Sequence, residues 1–220
     1  MTGIITARPH RSALALATLG ALALTACGGA TTRTTSTGEV VPVSSTIAMG
    51  SQSMAQMLAS WPAMQRDAAT MMSTKYGTPD VTSDRMLVWA NKGPYTRIVL
   101  MRDAVQHDFP MPHQDFLTHT IKHAVPTNML DELGAYDGSV WVHRTRGELS
   151  AQCDTEEHNN LALNLAHEVA MGRRTVEDAR MMYAKTAMEL KKGMSSPYAS
   201  GLMFQVEPNA ADAGKAVQMP

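Results

Sequence analysis

Arg85-Met86-Leu87-Val88-Trp89-Ala90, then Asn91-Lys92-Gly93-Pro94, then Tyr95-Thr96-Arg97-Ile98-Val99-Leu100-Met101-Arg102: two β-rich runs are separated by four turn-forming residues. Aliphatic, β-branched and aromatic side chains fit a pleated surface, and Asn, Gly and Pro supply the backbone angles of a reversal. The stretch predicts an antiparallel hairpin. Working outward, residues 103–114 are rich in Pro, His and Asp and read as a loop. Residues 115–125 carry Thr, Ile and Val up to Pro126 and read as a strand, and 127–133 as one or two helical turns. Residues 139–144 and 148–153 predict a second hairpin, turning near Arg146-Gly147.

Helical periods flank these strands. Residues 51–60 suit a short helix. Trp61-Pro62 opens the next, with Pro62 at the first helical position, where its missing N–H costs nothing. Met64, Ala68, Met71, Met72 and Lys75 follow at helical spacing up to Gly77. Asp154 and Glu157 have the spacing of a capping box, ahead of a stripe of Leu161, Ala162, Leu165 and Val169 that ends at Gly172. Thr175 caps a further helix with Val176, Ala179, Tyr183, Ala187 and Leu190 inside, closed by Gly193. Residues 202–206 suit a last strand. About three helices around hairpin-built strands predict a single α+β domain with a mainly antiparallel sheet.

The two ends do not belong to that domain on composition. Arg8 and Arg11 precede an apolar run, 12–23, of roughly 12 residues, the pattern of a secretory signal peptide and too short to remain as a span. Its end, Leu24-Thr25-Ala26-Cys27-Gly28, resembles the lipobox of bacterial lipoproteins. That resemblance implies cleavage after residue 26, a diacylglyceryl thioether on Cys27 and an acylated amino terminus, with palmitate the expected chain. Each buried CH₂ adds about 0.8 kcal/mol, so two or three chains anchor durably. The resemblance implies a location in the cell envelope. Gly28 is not the Asp that retains enteric lipoproteins at the inner membrane, so the outer membrane, facing the periplasm, is expected in a two-membrane cell. Residues 27–48, mostly Gly, Thr, Ser and Val, read as a flexible tether of about 25 Å reach, leaving 49–207 as the domain and 208–220 as a disordered tail. Segments of 61–167, including Lys75-Tyr76-Gly77-Thr78-Pro79-Asp80, are similar to uncharacterised bacterial envelope proteins and more loosely to small outer-membrane assembly lipoproteins. Neither similarity implies an activity.

Removing Arg8 and Arg11 from 19 basic residues leaves 17 against 20 acids, a net of −3, which gives no footprint for nucleic acid or for anionic lipid. With Cys27 lipidated, Cys153 has no intrachain disulfide partner and is expected buried.

Three uses of the polar residues compete. The first is non-catalytic binding of a protein or other envelope component, on a surface formed by His107 and His113 of the loop and by His143, Arg144, Arg146 and Glu148 of the second hairpin's tip, with Arg144 and Arg146 solvated or paired to Glu148. The second is copper binding by Met and His, since thioether sulfur is a soft ligand. Against it, aromatic residues make up only 5% of the chain, so the 18 Met are expected to fill the core. His119 and His123 would share an ion on a helix, but on a strand they stand about 13 Å apart and read as polar-face residues. The third is a hydrolase using His107 or His113 beside Asp108 or Asp115 as a base, without any accompanying nucleophile elbow or zinc-protease motif. The first is the expectation, with no catalytic residue, no metal and no cofactor.

Overall fold

The computed structural model describes residues 53–219; the expected signal peptide, Cys27 and the tether lie outside the described residues. Helix α1 (Met54–Leu58) starts from a capping box between Ser53 and Gln56. Helix α2 (Ala63–Tyr76) begins one residue later than the Pro62 rule predicts, with Pro62 itself as the N-cap, and stops at Gly77, whose φ of 82° most side chains avoid. The strands are β1 (Val81–Thr82), β2 (Met86–Lys92), β3 (Tyr95–His107) and β4 (His113–Lys122). A 3-10 turn (Thr127–Met129) then leads into α3 (Leu130–Tyr136), β5 (Val140–His143) and β6 (Glu148–Cys153). Helices α4 (Glu156–Ala170), α5 (Val176–Lys191) and the short α6 (Pro197–Ser200) complete the fold.

The chain is α+β: one six-stranded sheet, order β1-β2-β3-β4-β6-β5, antiparallel throughout. Both predicted hairpins form. In the first, Lys92 pairs with Tyr95 across a two-residue turn. In the second, Gly147 takes the left-handed conformation at φ 59°, and a Cβ there would strike the Ala210 backbone, so only glycine fits. The three long helices match the three periodic stretches; α1 falls within 51–60 and the 3-10 turn and α3 begin within 127–133, both read as helical, and α6 is a short addition.

Alternation sets the core. Leu87, Trp89, Ile98, Leu100, Leu117, His119, Ile121, Leu149 and Ala151 share one face of the sheet through their pairings. All are essentially fully buried, each leucine or isoleucine contributing about 1.5–3 kcal/mol of transfer free energy. Helices α2 and α4 pack on the sheet. Asn159 of α4 donates to Leu117 O, and Trp89 donates to Gly77 O, tying the helices to it. Asn164 donates to the carbonyls of Tyr198 and Gly201 and accepts from Met203 N, so α4 also holds the segment after α5.

Five expectations need correction. The 103–114 loop shrinks to residues 108–112, because β3 and β4 pair out to His107 opposite His113. Residues 202–206 form no strand; with the Asn164 bonds holding their start, Glu207 N donates to Lys122 O just past them. The start of the expected disordered tail is docked: Ala210 is buried against Gly147, and Asp212 N donates to Arg144 O. The buried stripe of α2 is Gln65, Ala68, Ala69 and Met72, which leaves Met64 and Met71 half exposed. Methionine therefore does little of the core filling: Met57 and Met72 are buried, whereas Met181 and Met188 are exposed, and Trp61, Trp89, Tyr136 and Phe116 supply the bulk.

Candidate functional site

The β3–β4 reversal brings chemistry together at one end of the sheet. His107 ends β3 and His113 opens β4, directly opposite each other, with ring centroids 5.0 Å apart. Asp115, two residues into β4, turns to the same side and is 1% exposed. Its Oδ2 lies 3.1 Å from His107 Nδ1 and accepts from the Ser139 hydroxyl; its Oδ1 lies 3.0 Å from His113 Nε2 but has no aligned hydrogen-bond donor. Asp137, also buried, lies 3.6 Å from His107 Nε2 and accepts from Ser139 N at 2.8 Å. Cys153 closes β6, and its Sγ stands 3.3 Å from His113 Nε2.

A cleft of about 590 Å³ opens in front of this group. Pro110, Met111 and Pro112 form one wall; Asp154, Thr155, Glu157 and His158 at the start of α4 form another; Tyr183, Ala187 and Leu190 of α5 close the third. His113 and Cys153 line it as well. Phe109 rests on Tyr183, centroids 5.3 Å apart, and Arg180 lies 3.8 Å over the Phe109 ring, which props the turn against α5.

The charges follow from these contacts. The Asp115 carboxylate raises His113 to about 9 against the pull of burial, with Met111 O, 2.9 Å from Nδ1, adding to the rise. Burial, then the Asp154 and Asp115 charges, push the Cys153 thiol well up. Cys153 is therefore a buried thiol rather than a ready thiolate nucleophile. Burial pushes Asp137 up as well. At Asp154 burial pulls upward, but the His158 ring 2.7 Å away wins and holds the carboxyl below its usual range.

The predicted surface divides. His107 and His113 belong to this site, but His143, Arg144 and Arg146 sit at the β5–β6 turn, beside the Lys122 end of β4. Nine residues of strand at about 3.3 Å each put roughly 30 Å between the two groups. Arg144 pairs with Asp212 at 3.3 Å, not with Glu148. Glu148 is buried and pairs with Arg97 at 3.1 Å. His119 and His123 are not polar-face residues but fully buried. His119 packs edge-on to Tyr95; His123 bonds Glu207 at 2.6 Å and approaches His167 at 3.2 Å, with Phe204 stacked on His167. The pairing of His113 with Asp115 was legible from their spacing. Ser139, Asp137 and Cys153 were not, because they arrive from 24 to 40 residues away.

Comparison with protein families, with curated proteins and with solved structures finds no match for this chain.

Proposed function

We propose that the chain is a bacterial envelope lipoprotein, anchored through lipid on Cys27, whose α+β domain binds a ligand in the cleft between the 108–112 turn, α4 and α5 without transforming it. The anchor rests on Leu24-Thr25-Ala26-Cys27 after a basic and apolar leader. The binding role rests on one observation above all. The cleft combines apolar walls with a few convergent polar groups, the usual make-up of a ligand site, while its thiol is held protonated by burial and neighbouring carboxylates. The membrane is the first partner, and an envelope component is the proposed ligand.

Native and denaturing mass spectrometry of protein extracted from membranes tests both halves. The expected mature terminus is Cys27 carrying a diacylglyceryl thioether, and Cys27→Ser should take no fatty-acid label. A mature terminus elsewhere, or an unmodified sulfur, removes the anchor. For the cleft, a retained ligand mass that disappears in Ala187→Trp is expected; an Ala187→Trp protein that keeps the same mass, or a wild type that carries none, removes the binding site.

A further inference from the structure

Three places carry unexplained chemistry: the half-exposed Met64 and Met71 on α2, the His123–His167–Glu207 cluster, in which only His123 is fully buried, and the His107–His113–Asp115 group at the back of the cleft. The methionines have nothing to say what covers them. The second cluster is satisfied by its own contacts and by Phe204. The third is not satisfied.

We infer that His107, His113 and Asp115 form a binding site for a divalent transition metal of the zinc class, with its open position facing the cleft past Cys153. The inference goes beyond the cleft reading and does not depend on the lipid anchor.

The donor set is of the right kind: two imidazole nitrogens and a carboxylate suit Zn²⁺ and its neighbours, whereas Mg²⁺ and Ca²⁺ prefer all-oxygen sites. The spacing is close to right. Ligands about 2.0–2.1 Å from a tetrahedral ion lie about 3.3 Å from one another. Here His107 Nδ1 and Asp115 Oδ2 are 3.1 Å apart, His113 Nε2 and Asp115 Oδ1 are 3.0 Å apart, and one donor atom from each residue falls within 4.8 Å of the others.

The outer contacts hold each donor in the pose a metal needs. A ligating histidine is normally oriented by a carbonyl or carboxylate on its far nitrogen. His113 Nδ1 has Met111 O at 2.9 Å, and His107 Nε2 has the Asp137 carboxylate at 3.6 Å. Ser139 bridges the two acids, donating its hydroxyl to Asp115 and its N–H to Asp137.

Two features call for a cation. Asp115 Oδ1 is buried and meets no aligned donor; its one close neighbour of opposite charge is the His113 ring, 3.0 Å away, a contact that a metal ion held between the two would replace. Among the described residues no lysine or arginine forms an ion pair with Asp115 or Asp137; Arg180 acts on Asp137 only from a distance, through its bond to Tyr136 O. His107 and His113 side chains remain 18% and 15% exposed, which leaves an entry path. The Cys153 sulfur, 3.3 Å from His113 Nε2, stands beside the remaining position.

The full-length protein in detergent, stripped with chelator, is titrated with Zn²⁺ against a colorimetric competitor and with Co²⁺ by absorption. One equivalent per chain, visible bands of a four-coordinate Co²⁺ site and a metal-dependent rise in Tm are expected. His107→Gln and Asp115→Asn should abolish stoichiometric binding. Ser139→Ala, which removes only an orienting contact and spares the ligands, should weaken it about 10–100-fold, and His143→Gln at the far end of the sheet should bind as wild type. Circular dichroism checks that each variant is folded. No bound equivalent at micromolar metal, or equal affinity in wild type, His107→Gln and Ser139→Ala, overturns the site. A protein that retains an organic ligand but no metal loses this inference alone; one that retains neither loses the cleft reading too.

Discussion

His119 is where burial and proton chemistry conflict most directly. It lies at the centre of the sheet, fully buried, with Nδ1 accepting from Asn159 Nδ2 at 2.9 Å. The ring proton of the neutral form is then on Nε2, which has no partner. Burial, the largest influence, lowers its pKa to about 4; Glu156 pulls it up and Lys75 down. An unfolded histidine titrates near 6.5. Between those two values the unfolded chain binds a proton that the native one refuses. Stability is therefore full above about pH 6.5 and falls as the pH drops towards 4, by up to about 3 kcal/mol. His123 and His167, both lowered chiefly by burial, act in the same direction. Urea midpoints at pH 7 and pH 4.5 should converge more in His119→Gln than in wild type; an identical pH slope in the two would show that another group governs it. The sequence placed His119 and His123 on one strand, whereas β4 ends at Lys122 and holds only His119. It did not reveal which face they occupy, because alternation fixes only that they share one.

At the scale of the element, the start of α4 shows how little separates two local readings. Asp154 and Thr155 are neighbours, and both side chains can cap a helix. Asp154 with Glu157 has capping-box spacing, yet the helix begins a residue later: Thr155 is the N-cap and accepts from His158 N at 3.2 Å. Asp154 is drawn away by the His158 ring, and Cys153 Sγ donates to it at 3.4 Å. Thr155→Ala should lower stability by about 0.5–2 kcal/mol, with Thr155→Ser close to wild type, read from denaturant midpoints. An unchanged midpoint in Thr155→Ala would mean the cap is not what starts this helix. The shifted stripe of α2 has a similar origin. Met64 and Met71 have the right spacing for a buried row, but Gln65 turns inward because its amide reaches Arg102 O at 3.2 Å. That partner lies on β3, and no periodicity within α2 contains it.

Among the described residues, the fold is closed by its C-terminal segment. Glu207 caps the end of β4 through Lys122 O and holds His123; Ala210 fills the hollow at Gly147; Asp212 ties to Arg144. Low-complexity composition made this stretch look detached, and only the surfaces it meets make it part of the fold. Ending the chain after Val206 leaves the buried His123 nitrogen without its carboxylate, at a cost of about 1–3 kcal/mol. Thermal denaturation of that truncation should show a lower Tm; an unaltered Tm would assign the segment no structural role.

By itself the sequence determined the hairpin turns, the strand alternation, the three long helices and the α+β class, since turn angles, caps and hydrophobic periods act over a few residues. The proposed lipobox, Leu24-Thr25-Ala26-Cys27, is a reading of the same local kind. Only the tertiary structure decided that His107, Ser139 and Cys153 join His113 and Asp115, and that the Arg144–Arg146 turn lies at the other end. The reason is pairing direction. Running β6 antiparallel to β4 sets Cys153 across from Leu117, near His113, and Glu148 across from Lys122, and no local rule states which strands become neighbours.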